Sequence, residues 1–182
     1  MQINKHQLIA ELLSLTAQSI TTVKRFKTLS SSQLNFKNTA QQWSILECIE
    51  HLNLYGDFYL PEMQKQLLES PQRSNSEIFK AGLIGNYFAG LMKTDNGKNK
   101  KMKSPKDKNP ANSTLTVTTL DRFLKQQELL KSILQGSLAA DLTKVKTAIS
   151  LSKFIKLRLG DTLRFYVYHI ERHISQAEKI TA

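Results

Sequence analysis

One cysteine, four prolines and seven glycines are all that 182 residues provide of the types that staple, break or bend a chain. With Cys48 alone no internal disulfide framework can form, and such usage suits a reducing cytosol. So few prolines and glycines leave little material for the turns of a sheet protein. The apolar residues recur mainly at intervals of three and four, which predicts an all-α fold. No run of about 18 apolar residues occurs, so no segment is expected to span a membrane. The N-terminus, MQINKHQLIAELLSLTAQ, lacks a charged stretch leading into an unbroken apolar core and does not read as a signal peptide. The expectation is a cytoplasmic protein with a single domain over residues 1–182, large enough to bury a sizeable core.

What the chain has in excess is positive charge, a formal +11. More than a third of it falls within residues 93–108, KTDNGKNKKMKSPKDK, where seven lysines face two aspartates. Residues 93–117 therefore read as a long, exposed basic connection, solvated in the simplest case. A contact with an anionic ligand or partner is the alternative. The segment carries neither stacking aromatics nor a helix for a nucleic-acid groove, which argues against nucleic-acid binding.

Four amphipathic helices are predicted. The first runs from about Asn4 to Arg25, with Leu8, Leu12, Leu15, Ile20 and Val23 at helical spacing. A polar connector follows over 28–42. The second helix opens at WSILE, where Ser44 and Glu47 match a capping box. At roughly 100° per residue, His51 falls at the edge of its apolar face beside Tyr55 and Phe58, with Glu50, Asn53 and Asp57 turned the other way. His51 thus faces inward, and Pro61 either kinks this helix or starts a new turn. Residues 76–92 suggest a short helix or packed loop. Residues 113–117, STLTV, are β-prone but too short and isolated for a sheet. The third helix spans about 118–135 and stops at Gly136. Residues 137–159 are expected to cap the bundle as a short helix or an ordered loop. The last helix opens at Gly160-Asp161, with Asp161 as N-cap, and reaches about Ile180.

Only four histidines occur, and their placement is the most informative feature. His169 and His173 form a His-x3-His pair on the flank of the last helix's stripe, one above the other. His51, 118 residues earlier than His169, would complete a three-nitrogen site with coordination positions left open. His6 lies in a polar N-terminal segment. The run His169-Ile170-Glu171-Arg172-His173 lacks the glutamate after the first histidine that a zincin protease requires. Each histidine alone would also fit a hydrogen-bonded boundary residue.

The segments WSILECIEHLNLYGDFY (43–59) and LGDTLRFYVYHIERHISQAEKI (159–180) resemble the two metal-bearing helices of the DinB/YfiT-like family, a group regarded as metalloenzymes. The shared features are a Trp at a helix start with an inward His two turns on, and a His-x3-His with a Gln three residues later. The resemblance implies a four-helix bundle of up-down-down-up connectivity. It also implies a divalent metal, zinc or nickel, held by His51, His169 and His173. Relatives of this kind include thiol S-transferases that use a low-molecular-weight thiol, and others treated as metal-dependent hydrolases. The expected function is therefore metal-dependent activation of a thiol or water toward a small-molecule substrate, with thiol transfer favoured. A metal-stabilised, non-catalytic bundle that binds a partner is the alternative, and family analogy allows a homodimer.

Candidates to support the chemistry are Tyr55 and Tyr166, on the histidine-bearing faces, and Gln176, placed to orient His173 or a water. Ordinary core packing is the simpler account of the two tyrosines. Glu47 is more simply the capping-box partner of Ser44, Cys48 a buried structural thiol, and Trp43 an anchor for the helix start. No carboxylate is clearly placed as a general base, which weakens a strictly hydrolytic mechanism.

Overall fold

A computed structural model shows a predominantly helical protein. The structure describes residues 1–70, 74, 76–93 and 103–180. In chain order these form β1 (Gln2–Asn4), α1 (Lys5–Phe26), α2 (Ser31–Asn35), α3 (Ile45–Glu69), β2 (Ile78–Lys80), α4 (Leu83–Met92), a 3-10 turn (Lys106–Lys108), α5 (Thr118–Gly136), a second 3-10 turn (Ser137–Ala139), β3 (Lys146–Ile149), β4 (Ser152–Arg158) and α6 (Leu159–Glu178).

The four long helices pack in a ring: α1 lies against α5 and α6, and α3 against the same two. Their apolar stripes meet in one core that includes Leu8, Leu12, Val23, Ile49, Leu52, Phe123, Leu130, Leu163 and Tyr166. Asn4 caps α1, accepting from the His6 and Gln7 N–H groups, as an N-cap asparagine does. The Ser44–Glu47 capping box starts α3 where the sequence predicts it. α3 then runs through Pro61 without a break. Pro61 is exposed, so its ring disturbs only the outer face of the helix.

Several expectations need correction. The connector 28–42 contains α2, which opens with its own capping box from Ser30 and Gln33. Residues 146–158 form an antiparallel hairpin rather than a helix or a plain loop. Its sequence alternates: Thr147, Ile149 and Leu157 are buried, while Lys146 and Lys156 face water, the period-two pattern of a half-buried strand. A second pair, β1 with β2, ties the N-terminus to the segment before α4. Residues 76–92 supply both that strand and α4, which packs on α6. As its short length predicts, 113–117 forms no strand.

Asp161 is not the N-cap of α6. The helix begins two residues earlier, and Asp161 is wholly buried. Its carboxylate accepts from the Gly82 N–H at 2.8 Å and from Arg164 at 3.4 Å, so it caps the start of α4 instead. Gly85 is what allows this approach, since a Cβ there would lie 2.4 Å from that of Asp161. Glu50, Asn53 and Asp57 do point away from His51, but toward α5. Asn53 is fully buried and donates to the Thr119 carbonyl at 3.0 Å, and Arg122 pairs with both Glu50 and Asp57.

Of the expected basic connection, residues 94–102 lie outside the described residues. The part from 103 to 117 is exposed over most of its length, but Pro110 is buried and Ser104 and Lys108 are half-buried.

Candidate metal centre

The capping box fixes where α3 begins. Ser44 N–H donates to Glu47 Oε2 at 2.8 Å, and Glu47 N–H donates to Ser44 Oγ at 3.2 Å. His51 follows one turn after Glu47 on the inner side. α6 carries His169 and His173 four residues apart, with their rings at 90° to each other and centroids 4.7 Å apart. α3 packs on α6, and the three imidazoles converge. His51 Nε2 lies 3.2 Å from His169 Nε2. One nitrogen from each ring falls within 4.8 Å of the others.

This donor set fits a divalent metal. Two imidazole nitrogens bound to a tetrahedral zinc at about 2.0–2.1 Å are themselves about 3.3 Å apart, close to the His51–His169 separation. The outer nitrogens of two rings are already engaged. His51 Nδ1 donates to the Lys108 carbonyl at 2.6 Å, and His173 Nδ1 donates to Gln176 Oε1 at 3.0 Å. A carbonyl oxygen can only accept, so in both rings Nδ1 carries the proton and Nε2 keeps its lone pair. His169 Nδ1 is buried without a partner among the described residues.

Burial also keeps the rings neutral, as ligands must be. It pulls His51 down to about 4, with the charge of Lys108 adding to the effect and the Lys108 carbonyl opposing it. Burial and the His51 charge take His173 to about 3, against the Gln176 hydrogen bond. His169 is held well below its ordinary value by burial and by its two neighbours. The three histidines could hold a metal ion.

The surrounding walls are aromatic. Tyr55 lies 4.5 Å from His169 and 4.9 Å from His51, centroid to centroid. Trp43 packs at 4.7 Å from His51 and 5.8 Å from His173, so it lines the site as well as anchoring the helix. Phe165 stacks on His169 at 5.9 Å. Tyr166 is fully buried against Tyr59, its hydroxyl without a partner among the described residues and its pKa raised by burial. Gln176 is exposed and reaches the cluster through His173.

Glu47 is occupied elsewhere. Burial alone would raise its pKa, but hydrogen bonds from Lys37, Ser44 and Asn112 hold it below the usual value. Cys48 is wholly buried and its thiol is pushed up to about 12 by burial, an inert structural group. His6 lies beside Glu77 and is not one of the clustered histidines. Sequence reasoning missed Ser104 and Lys108. Their contact with His51 is made by a hydroxyl and a main-chain carbonyl, which no side-chain motif announces.

The chain belongs to the DinB superfamily, whose model matches residues 15–177. It is 25% identical over 160 residues to the uncharacterized protein YuaE of Bacillus subtilis (strain 168), an alignment that covers 87% of this chain and 90% of that protein. No solved structure matches it. Among the described residues, no helix is long and apolar enough to cross a membrane.

Proposed function

We propose that this protein is a metal-dependent enzyme in which His51, His169 and His173 hold one divalent ion, zinc or nickel. Its reaction transfers a low-molecular-weight thiol to an electrophilic small molecule. The observation that carries this reading is the convergence of three neutral imidazoles, with two Nδ1 protons held outward. An ion bound by three neutral ligands keeps its full charge and acidifies a thiol or water that reaches it.

The protein's own residues favour the thiol. Among the described residues, the hydrogen-bond partners of the three imidazoles are a main-chain carbonyl, the Ser104 hydroxyl, a carboxamide and one another, not carboxylates. Among the described residues, the charges that act on the imidazoles from outside the cluster are those of Lys108 and Arg172. Hydrolysis profits from a general base to take a proton from water, whereas a thiol, with a pKa of about 8.5, is far more acidic than water and needs less help. In the transfer, the thiol proton passes to solvent and the sulfur lone pair forms the new bond to carbon. The leaving group departs with the bonding pair. Trp43 and Tyr55 form apolar walls that exclude water, and Gln176 keeps His173 oriented. Family analogy extends the reading to an up-down-down-up order of the four long helices.

The test is elemental analysis of protein purified without a metal-affinity tag, followed by thiol-conjugation assays on the loaded form. We expect about one ion per chain, lost in His51→Ala and His169→Ala together with conjugation. Metal content and activity unchanged in His51→Ala would overturn the proposal. Water consumption without thiol incorporation would move the assignment to a hydrolase.

A further inference from the structure

Residues 104–108 belong to the lysine-rich segment, yet their main chain turns inward. The 3-10 turn Lys106–Lys108 is closed by the Lys108 N–H donating to the Pro105 carbonyl at 3.0 Å, and the Asn109 N–H donates to the Lys106 carbonyl at 3.3 Å. The Lys108 carbonyl that the turn presents receives the His51 Nδ1 proton at 2.6 Å. Ser104 Oγ shares its one proton between the same carbonyl at 3.1 Å and the Pro105 carbonyl at 3.2 Å, and lies 3.5 Å from His51 Nδ1. Farther along, Asn112 adopts φ 66°, a left-handed conformation that asparagine tolerates. Its N–H donates to Glu47 Oε1 at 3.0 Å. Glu47 and His51 are one turn apart on α3, so the segment is fastened to that helix at two successive points.

We propose that residues 104–108 form a clasp that positions His51 for metal. The Lys108 carbonyl fixes the ring's rotation and its Nδ1–H tautomer, and Ser104 holds that carbonyl in place. The inference rests on the metal reading of the three histidines and adds a positioning role for a segment that composition alone marks as a solvated loop. Partners on the outer nitrogen of a ligating histidine are worth roughly 10–100-fold in metal affinity. Linkage makes the effect reciprocal: if closure of the clasp tightens metal binding, metal must favour closure by the same factor.

Zinc affinity of the full-length protein, measured by competition with a chromophoric chelator, tests the first half. With residues 103–108 replaced by alternating glycine and serine at equal length, we expect about ten-fold weaker binding. Ser104→Ala should show a smaller loss in the same direction. Metal-free helicity and melting should stay close to those of the parent, which a merely structural loop contact would not predict. Trypsin tests the second half on the unaltered chain. Zinc should slow cleavage after Lys106 and Lys108 about ten-fold, the reciprocal of the affinity loss, and should not do so in His51→Ala.

Unchanged zinc affinity in both variants, or cleavage indifferent to zinc, would overturn the clasp while leaving the metal site standing. If the replaced-loop variant does not fold, the protease result on the parent decides. Absence of zinc binding by the parent itself would remove the metal reading, and the clasp with it.

Discussion

Nε2 of His51 and Nε2 of His169 lie 3.2 Å apart although 118 residues separate them in the chain. Two buried imidazoles at this distance, each kept neutral by its surroundings, are of little use to the core. Among the described residues, His169 Nδ1 has no hydrogen-bond partner. A buried polar group without a partner costs on the order of 1–3 kcal/mol. His173 completes the cluster from the next turn of α6, so three desolvated imidazole nitrogens are gathered where one bound cation would take their lone pairs.

Trp43 offers a direct optical report on the site. It is the chain's one tryptophan, and its ring is 4.7 Å from His51 and 5.8 Å from His173. Adding zinc or nickel to the metal-free protein should change its emission saturably, with an end point at one ion per chain. In His169→Ala the change should vanish, although His169 is not among the rings that pack on Trp43. Emission that does not respond to metal would contradict occupancy of this cluster.

Metal-free protein should lose stability on mild acidification. His51 has an ordinary value of 6.5 and a folded value of about 4. Between these values the unfolded chain binds a proton that the folded chain does not, so stability falls as pH drops through that window. At pH 5 the deficit from His51 alone is about 2 kcal/mol, at 1.36 kcal/mol per pKa unit. That corresponds to a melting temperature lower by roughly 4–8 °C than at pH 7. Calorimetry on chelator-treated protein at the two pH values checks this. Melting that is flat between pH 7 and 5 would mean that the histidines are not held neutral by burial.

Much of this site is legible in the sequence, and the reasons are local. Ser44 and Glu47 announce the start of α3, which sets the rotation of His51, and the His-x3-His spacing needs only a helix to bring two rings together. The hairpin at 146–158 was harder to read, because its alternation is short and a bulge interrupts the register between Ala148 and Ile149. Gly160-Asp161 looks like a helix start by local chemistry, but the tertiary partner won: the Asp161 carboxylate serves the Gly82 N–H across the α4–α6 contact. The approach of Lys108 to His51 was illegible for a deeper reason, since every residue type offers the same main-chain carbonyl.

The Asp161 arrangement makes its own prediction. Asp161 and Arg164 are both buried, and removing one partner of such a pair strands the other. Asp161→Ala should cost about 3–5 kcal/mol. Gly85→Ala, which forces a methyl against Asp161, should cost about 1–3 kcal/mol. Chemical denaturation of each variant measures the loss. Near-parental stability in both would show that α4 does not depend on this cap.

Gln176 gives the sharpest separation of site from scaffold. Its side chain is exposed, yet its Oε1 takes the His173 Nδ1 proton at 3.0 Å. Gln176→Ala should leave the melting of the metal-free protein within about 0.5 kcal/mol of the parent, as exposed substitutions generally do. Its zinc affinity should fall about ten-fold, because the freed ring can rotate and change tautomer. Gln176→Glu keeps an acceptor at that position and should bind zinc at least as tightly as the parent, since a carboxylate makes the ring a stronger donor to metal. Chelator competition on the three proteins resolves the order. Equal affinities would mean that His173 is not a ligand or that its orientation is fixed by packing alone.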